Sequence, residues 1–255
     1  MVTRKKSSLN NDANDNLTHT SIRKEFFMTE LLEQYLPNVV GIQDRIIENI
    51  IETVYMTISA ALIAGILGII FGIILTVTYS RSILENKLVY NILDKAINTM
   101  RSIPFIIMLA LIYPITRFFV GTSIGTTASI VPLVFATVPF YAKQVESALL
   151  EVDSGVVEAA QAMGSSPIEI IFSVYLKEGL PSLIRVSSVT IVSLISMTAM
   201  AGAVGGGGLG DLAIARGYNR FQSDVTFVAT VLIMILVFTS QAIGNYFIRK
   251  TDHNK

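Results

Sequence analysis

Thr53–Ser80 reads TVYMTISAALIAGILGIIFGIILTVTYS, 28 consecutive residues without a charge. An uncharged apolar run of about 18 residues or more reads as a membrane-spanning helix. Val186–Gly210 and Val225–Ile248 are further runs of this kind. Together they set the class as an all-α membrane protein. Composition agrees: 52% of the 255 residues are hydrophobic and 15% are charged, where about 25% charged is usual for a soluble domain. A formal net charge of zero gives no reason to expect nucleic-acid binding. The absence of cysteine excludes disulfides, thiolate metal sites and cysteine nucleophiles. His19 and His253 lie in polar tails, and no histidine or acid cluster has metal-ligand spacing.

Two shorter segments complete a bundle of five expected transmembrane helices, at about 53–80, 101–119, 127–147, 181–204 and 225–248. The second is bracketed by Arg101 and Arg117. Its uncharged part rises only ~22 Å against a ~30 Å hydrocarbon core, so both arginines are expected to snorkel. Pro104 and Pro114 predict a bent helix packed inside the bundle. The third span carries Pro132 and Pro139 and continues as an amphipathic helix through Lys143 and Glu146. In the first, Gly68-x-x-x-Gly72 would let another helix backbone approach closely, or be glycines tolerated without a partner.

Residues 1–27 read as a disordered polar extension. Arg4-Lys5-Lys6 could open a signal peptide, but no apolar stretch follows. Met28 is a plausible start, testable by the mass of the purified chain. Residues 28–48 form an amphipathic lead-in, 49–249 the membrane domain, and 250–255 a polar tail.

Between the third and fourth spans lies a polar loop, 151–178. Asp153 or Ser154 can cap a short helix that places Glu158 near its positive end. Gly164 suits the left-handed conformation that ends a helix. Ser166 opens a second helix, Pro167 fits its first position, and Glu169 completes a Ser-x-x-Glu capping box. Local chemistry thus predicts two short helices joined at a bend. Read alone, this is a helical loop beside a membrane.

The run Glu158-Ala159-Ala160-x-x-x-Gly164, continued by Val174 and Leu176, resembles the EAA loop of ABC importer permeases. Lys177 stands where that family has proline, with Leu180-Pro181 shortly after. Arg101-Ser102-Ile103-Pro104-Phe105, Gly121-Thr122-Ser123-Ile124-Gly125, Val145–Glu151 and Gly202–Gly210 look like the methionine branch of that family. The resemblance covers about Ile50 to Arg249. It implies an ABC transporter type-1 permease fold and a homodimeric pore. It implies an ABC ATPase dimer carrying ATP and Mg, docked on Glu158, Ala159, Ala160, Met163, Gly164 and Pro167. It also implies an extracytoplasmic substrate-binding lipoprotein that delivers methionine.

The chain itself has no lysine following a glycine, hence no phosphate loop, so no ATP hydrolysis and no cofactor are expected on it. Gly205-x-Gly207-x-x-Gly210 fits a dinucleotide fingerprint on paper but follows a membrane helix, and reads better as a flexible break at the outer end of the fourth span. The fourth span's hydroxyls could glue helices together; alternatively its face with Ser193, Met197 and Met200 could line a pathway. No histidine or lysine lies near enough to activate these serines.

With the loop inside, ten Lys or Arg fall on the cytoplasmic side: 81, 87, 95, 101, 143, 177, 185, 249, 250 and 255. Four (45, 117, 216 and 220) fall outside once residues 1–27 are ignored. This asymmetry predicts a multi-pass protein of the cytoplasmic membrane with its N-terminus outside and C-terminus inside. Importers of another small amino acid or peptide would share the fold. An ion-coupled secondary transporter is the alternative from another class, disfavoured because the three long runs hold no charge.

Overall fold

The computed structural model describes residues 34–251. The 1–27 extension, residues 28–33 of the lead-in and residues 252–255 of the tail lie outside the described residues. Among the described residues every regular element is helical. Four helices are long and apolar enough to cross a membrane: Gln43–Thr78, Thr126–Leu150, Leu180–Gly206 and Ser223–Thr251. They correspond to the expected first, third, fourth and fifth spans.

The segment expected as a second span differs. A connector helix, Lys87–Arg101, is capped at its start by the Asn86 side chain. Two short helices follow, Phe105–Leu111 and Tyr113–Val120. Pro104 holds an extended ψ of 137° just before the first, and Pro114 sits in the first turn of the second. Proline has no N–H to donate and is tolerated at a helix start, so each one stands where a helix begins and neither interrupts a helix interior. Nor is the segment enclosed within the chain. Met108, Ile112 and Thr116 are buried along one face, whereas Ile107, Leu111, Phe118 and Phe119 are exposed. Arg101 and Arg117 are exposed, as snorkelling requires.

A short turn, Pro37–Val40, precedes a helix that runs without a break from Gln43 into the first span. Asn38 donates to Asp224 through its backbone at 2.8 Å and its side chain at 3.0 Å. Ile42 is buried with Leu212 and Val225. The lead-in is thereby fastened to the start of the fifth span.

In a membrane, apolar contact brings no hydrophobic gain over lipid, so close packing and hydrogen bonds must hold helices together. The first and third spans show how. A Cβ on Gly68 would lie 2.6 Å from Tyr141 Cδ1, and one on Gly72 would lie 2.5 Å from Val145 Cβ. Hydrogen at these two positions lets the third span seat its side chains against the backbone of the first. Buried Thr57, Thr76 and Thr78 turn their hydroxyls back onto carbonyls of the preceding turn at 2.8, 2.9 and 2.6 Å. Ile51, Tyr55, Ile58, Leu62, Ile66 and Ile70 form an exposed apolar stripe along this helix.

Candidate functional site

The loop between the third and fourth spans has the expected two-helix form. The Asp153 side chain accepts from Gly155 N–H at 2.8 Å and caps Ser154–Ala162. The helix ends where Gly164 turns left-handed at φ 84°. Gly164 N–H donates to Gln161 at 2.9 Å and Ser165 N–H to Ala160 at 3.1 Å, which satisfies two terminal carbonyls. The second helix opens with both halves of the capping box: Ser166 N–H to Glu169 Oε2 at 2.7 Å, and Glu169 N–H to Ser166 Oγ at 3.3 Å. These bonds hold the Glu169 carboxyl below its ordinary range. Instead of a proline at Lys177, a wide π-helical turn, Ile171–Tyr175, leads to a helical turn at Leu176–Glu178. The fourth span then starts at Leu180 with Pro181 in its first turn.

This loop is anchored along one face and free along the other. Val157, Ala160, Ile170 and Val174 are buried against Val145, Ala148 and Leu149 of the third span. Glu158, Ala159, Met163, Gly164 and Pro167 are exposed. Ala160 therefore faces inward, unlike the rest of the expected docking set, and fastens the loop to its own subunit. Ile168 and Phe172 extend the exposed face, 68% and 66% accessible. Sequence reasoning missed them, although their spacing of four residues on one helical face was a usable signal. A cleft of about 210 Å³ beside Glu158 and Gln161 is closed by Arg81, Ser82 and Tyr175. There the Ser82 and Tyr175 hydroxyls lie 3.3 Å apart, tying the loop to the turn that follows the first span.

The fourth span's hydroxyls mostly bond within their own helix: Ser187, Ser188, Thr190 and Ser196 each donate to the carbonyl four residues back. Ser187 also meets the Tyr141 hydroxyl at 2.6 Å on the third span. Of the candidate pathway residues, Met200 is 50% exposed. Ser193 and Met197 are half-buried, and Met197 packs beside Leu133 and Leu194. All three share one helical face. Near the C-terminal end of the fourth span, a cavity of about 290 Å³ joins Ala201 and Val204 to Tyr113, Thr116 and Ser129.

The glycine run Gly202–Gly210 carries no nucleotide fold, since no strand precedes it among the described residues. It makes a packed corner, not a loose break. Gly205, Gly207 and Gly208 have φ of 91°, 79° and 73°, and a short helix, Gly208–Asp211, folds back on the fourth span. Glu52, which sequence reasoning passed over, completes the corner. Its Oε2 accepts from Gly208 N–H at 2.6 Å and its Oε1 from the Thr126 hydroxyl at 3.3 Å. Thr53 Oγ1 accepts from Leu209 N–H at 2.8 Å. Burial pushes the nearby Asp211 carboxyl up, and the Glu52 charge adds to this; Arg220 and Arg45 pull the other way.

At the opposite end the connector meets the third span through charge. Lys143 Nζ donates to Asp94 Oδ1 at 2.8 Å and pairs with Glu146 Oε2. The Tyr90 hydroxyl donates to Glu146 Oε1 at 3.0 Å. Burial, then the bond to Glu146, pushes the Tyr90 phenol up to about 12, so it remains a donor at neutral pH. Among the described residues no metal-holding cluster of His, Asp or Glu is present.

Apolar helices around a central third span, with a capped extramembrane loop held at one end, define a multi-pass helical membrane protein. Residues 68–253 match the family described as binding-protein-dependent transport system inner membrane component, and the chain belongs to that family. It is 44% identical over 179 residues to the "Probable D-methionine transport system permease protein MetI" of Vibrio cholerae, covering 70% of this chain and 80% of the relative. It is 45% identical over 171 residues to the methionine import system permease protein MetP of Bacillus subtilis, covering 67% and 77%. Among solved structures it resembles a chain of the MetNI methionine ABC transporter in an inward-facing conformation. The TM-score is 0.82 at 38% identity, covering 84% of this chain and 99% of that one. A likeness to an amino acid ABC transporter crystallised with histidines, TM-score 0.68 at 19% identity, shows the shared fold alone. The fold is that of the ABC importer permeases, and the chain is a membrane permease subunit.

Proposed function

We propose that this chain forms the translocation pathway of an ATP-driven methionine importer. Two copies enclose the pore, an ABC ATPase dimer holding ATP and Mg docks on the loop from the cytoplasm, and a binding lipoprotein delivers substrate from outside. The N-terminus lies outside and the C-terminus inside. The observation that carries this reading is the similarity to the MetNI chain over nearly its whole length, together with a doubly capped loop exposed on one face. Family membership favours an ATP-driven importer over an ion-coupled carrier.

The lever follows from the loop's geometry. Its backbone ends are satisfied by its own side chains, so it resists bending when pushed. Glu158, Ala159, Met163, Gly164 and Pro167, with Ile168 and Phe172, offer the contact face. The Val157, Ala160, Ile170 and Val174 face passes the load to the third span, and the fourth follows directly from Gly179. ATP shifts the pore only if the ATPase binds it more tightly in one pore conformation than in the other. Ser193, Met197 and Met200 are the proposed pathway face, where thioethers offer polarisable contact to an apolar side chain.

The test is uptake of labelled methionine by proteoliposomes holding this chain, its ATPase and its binding lipoprotein. ATP-dependent uptake displaced by unlabelled methionine, and not by other small amino acids or short peptides, is expected. Displacement by another solute alone would reassign the substrate and leave the fold unaffected.

A further inference from the structure

At the inner end of the third span, charge occupies a seam where apolar packing would suffice. Tyr90, Leu93, Asp94 and Ile97 share one face of the connector helix. Ile97, Leu93 and Tyr90 pack with Leu75, Phe71 and Ala142. In the same seam Lys143 joins Asp94 and Glu146, and Tyr90 caps Glu146. Glu146 is only 3% exposed. The Lys143 and Asp94 side chains are 20% and 25% exposed.

Such a network is a poor source of stability, because desolvating charges offsets what their pairing returns. Charges at the edge of a bilayer are costly and are retained where they do something. What a buried pair does well is punish misalignment. If the connector slid by one turn, ~5.4 Å, Glu146 would keep Lys143 on its own helix but lose the Tyr90 hydroxyl, and Lys143 would lose Asp94. An apolar seam imposes no comparable penalty. The location adds to this. Opposite the seam, Val145, Ala148 and Leu149 carry the loop's buried face. From Arg101 the connector leads straight into the broken helix pair, which lines the cavity near the C-terminal end of the fourth span through Tyr113 and Thr116.

We propose that Tyr90, Asp94, Lys143 and Glu146 are positioning residues that lock the connector in register on the third span, so that a push on the loop moves loop, connector and broken pair as one body. This rests on the importer reading above. The test uses the complete complex in proteoliposomes and measures solute imported per ATP hydrolysed. Lys143→Met should lower that ratio about tenfold while hydrolysis continues, within the range of coupling mutations, and Lys143→Arg should restore most of it. The triple variant Asp94→Leu/Lys143→Met/Glu146→Leu keeps an apolar seam without unpaired charge, so it should assemble and hydrolyse ATP yet still import little per ATP. A triple variant that imports like the wild type would reduce the network to packing and overturn the proposal, as would an unchanged ratio in Lys143→Met. Absence of ATP-dependent uptake by the wild type would instead remove the importer reading, and this inference with it.

Discussion

The chain breaks its helices with glycine at both ends of the bundle, and the two breaks are built in opposite ways. At the loop, Gly164 turns left-handed in open space, with no atom within 4 Å of where a Cβ would stand. Its neighbours are capped by residues two to five positions away. At the glycine-run corner of the opposite end, Gly208 and Leu209 take their hydrogen-bond partners from Glu52 and Thr53, each 156 residues distant. On the proposed importer reading the loop meets another protein and must keep its shape without help, so its bonds are local. A corner inside a bundle can borrow from its neighbours, and by borrowing it ties them together.

The comparison is broken most forcefully at Gly210, where an added Cβ would collide with the Ala199 carbonyl oxygen. Gly210→Ala should destabilise the assembled protein by about 1–3 kcal/mol, read as a fall in thermal stability in detergent. Glu52→Ala comes next. It strips the acceptor from a part-buried Gly208 N–H, a cost of about 1–3 kcal/mol that Glu52→Gln, which keeps an acceptor oxygen, should largely recover. Equal losses for the two variants would mean that the charge and not the hydrogen bond holds the corner.

Gly164→Val sharpens the contrast from the other side. No atom obstructs the new side chain, so the cost is only that of left-handed backbone, about 1–2 kcal/mol. The bundle should lose less thermal stability than with Gly210→Ala, while import per ATP falls. Import that survives unchanged would count against the loop as lever. The smallest effect concerns pH. The Glu169 carboxyl is held below its ordinary value of 4.5. Its share of the cap is therefore complete above that value and is lost as pH falls through the lowered one. Amide exchange at Ser166 should accelerate only in acid, and Glu169→Gln should remove that dependence.

The same contrast explains what the sequence made legible. Long uncharged runs and caps within a few residues are local signals, so four spans and the two loop helices were readable in outline. The loop's caps could be named residue by residue. Gly68-x-x-x-Gly72 announced a close contact, but only the fold supplies Tyr141 and Val145 as its partners. Pro104 and Pro114 announced a bend, yet each starts a short helix of its own, because proline at a first turn costs little where proline within a helix costs much. Ala160 looked like part of the contact face, but an alanine gives no sign of which way it points. Glu52 and Lys143 stand in no motif, and Glu146 stands in one that says nothing of its contacts, since their meaning lies in partners from distant turns of the chain.

On the importer reading, the loop's exposed face meets the ATPase while the opposite end of the bundle does not. The natural chain contains no cysteine, so a single introduced thiol can be labelled cleanly. Met163→Cys and Phe118→Cys each place it at a highly exposed position, one at either end. With a maleimide-linked photoreactive probe on that thiol and the ATPase subunit present, Met163→Cys should cross-link to the ATPase in high yield and Phe118→Cys should not. Cross-linking from Phe118→Cys, with none from Met163→Cys, would contradict the account.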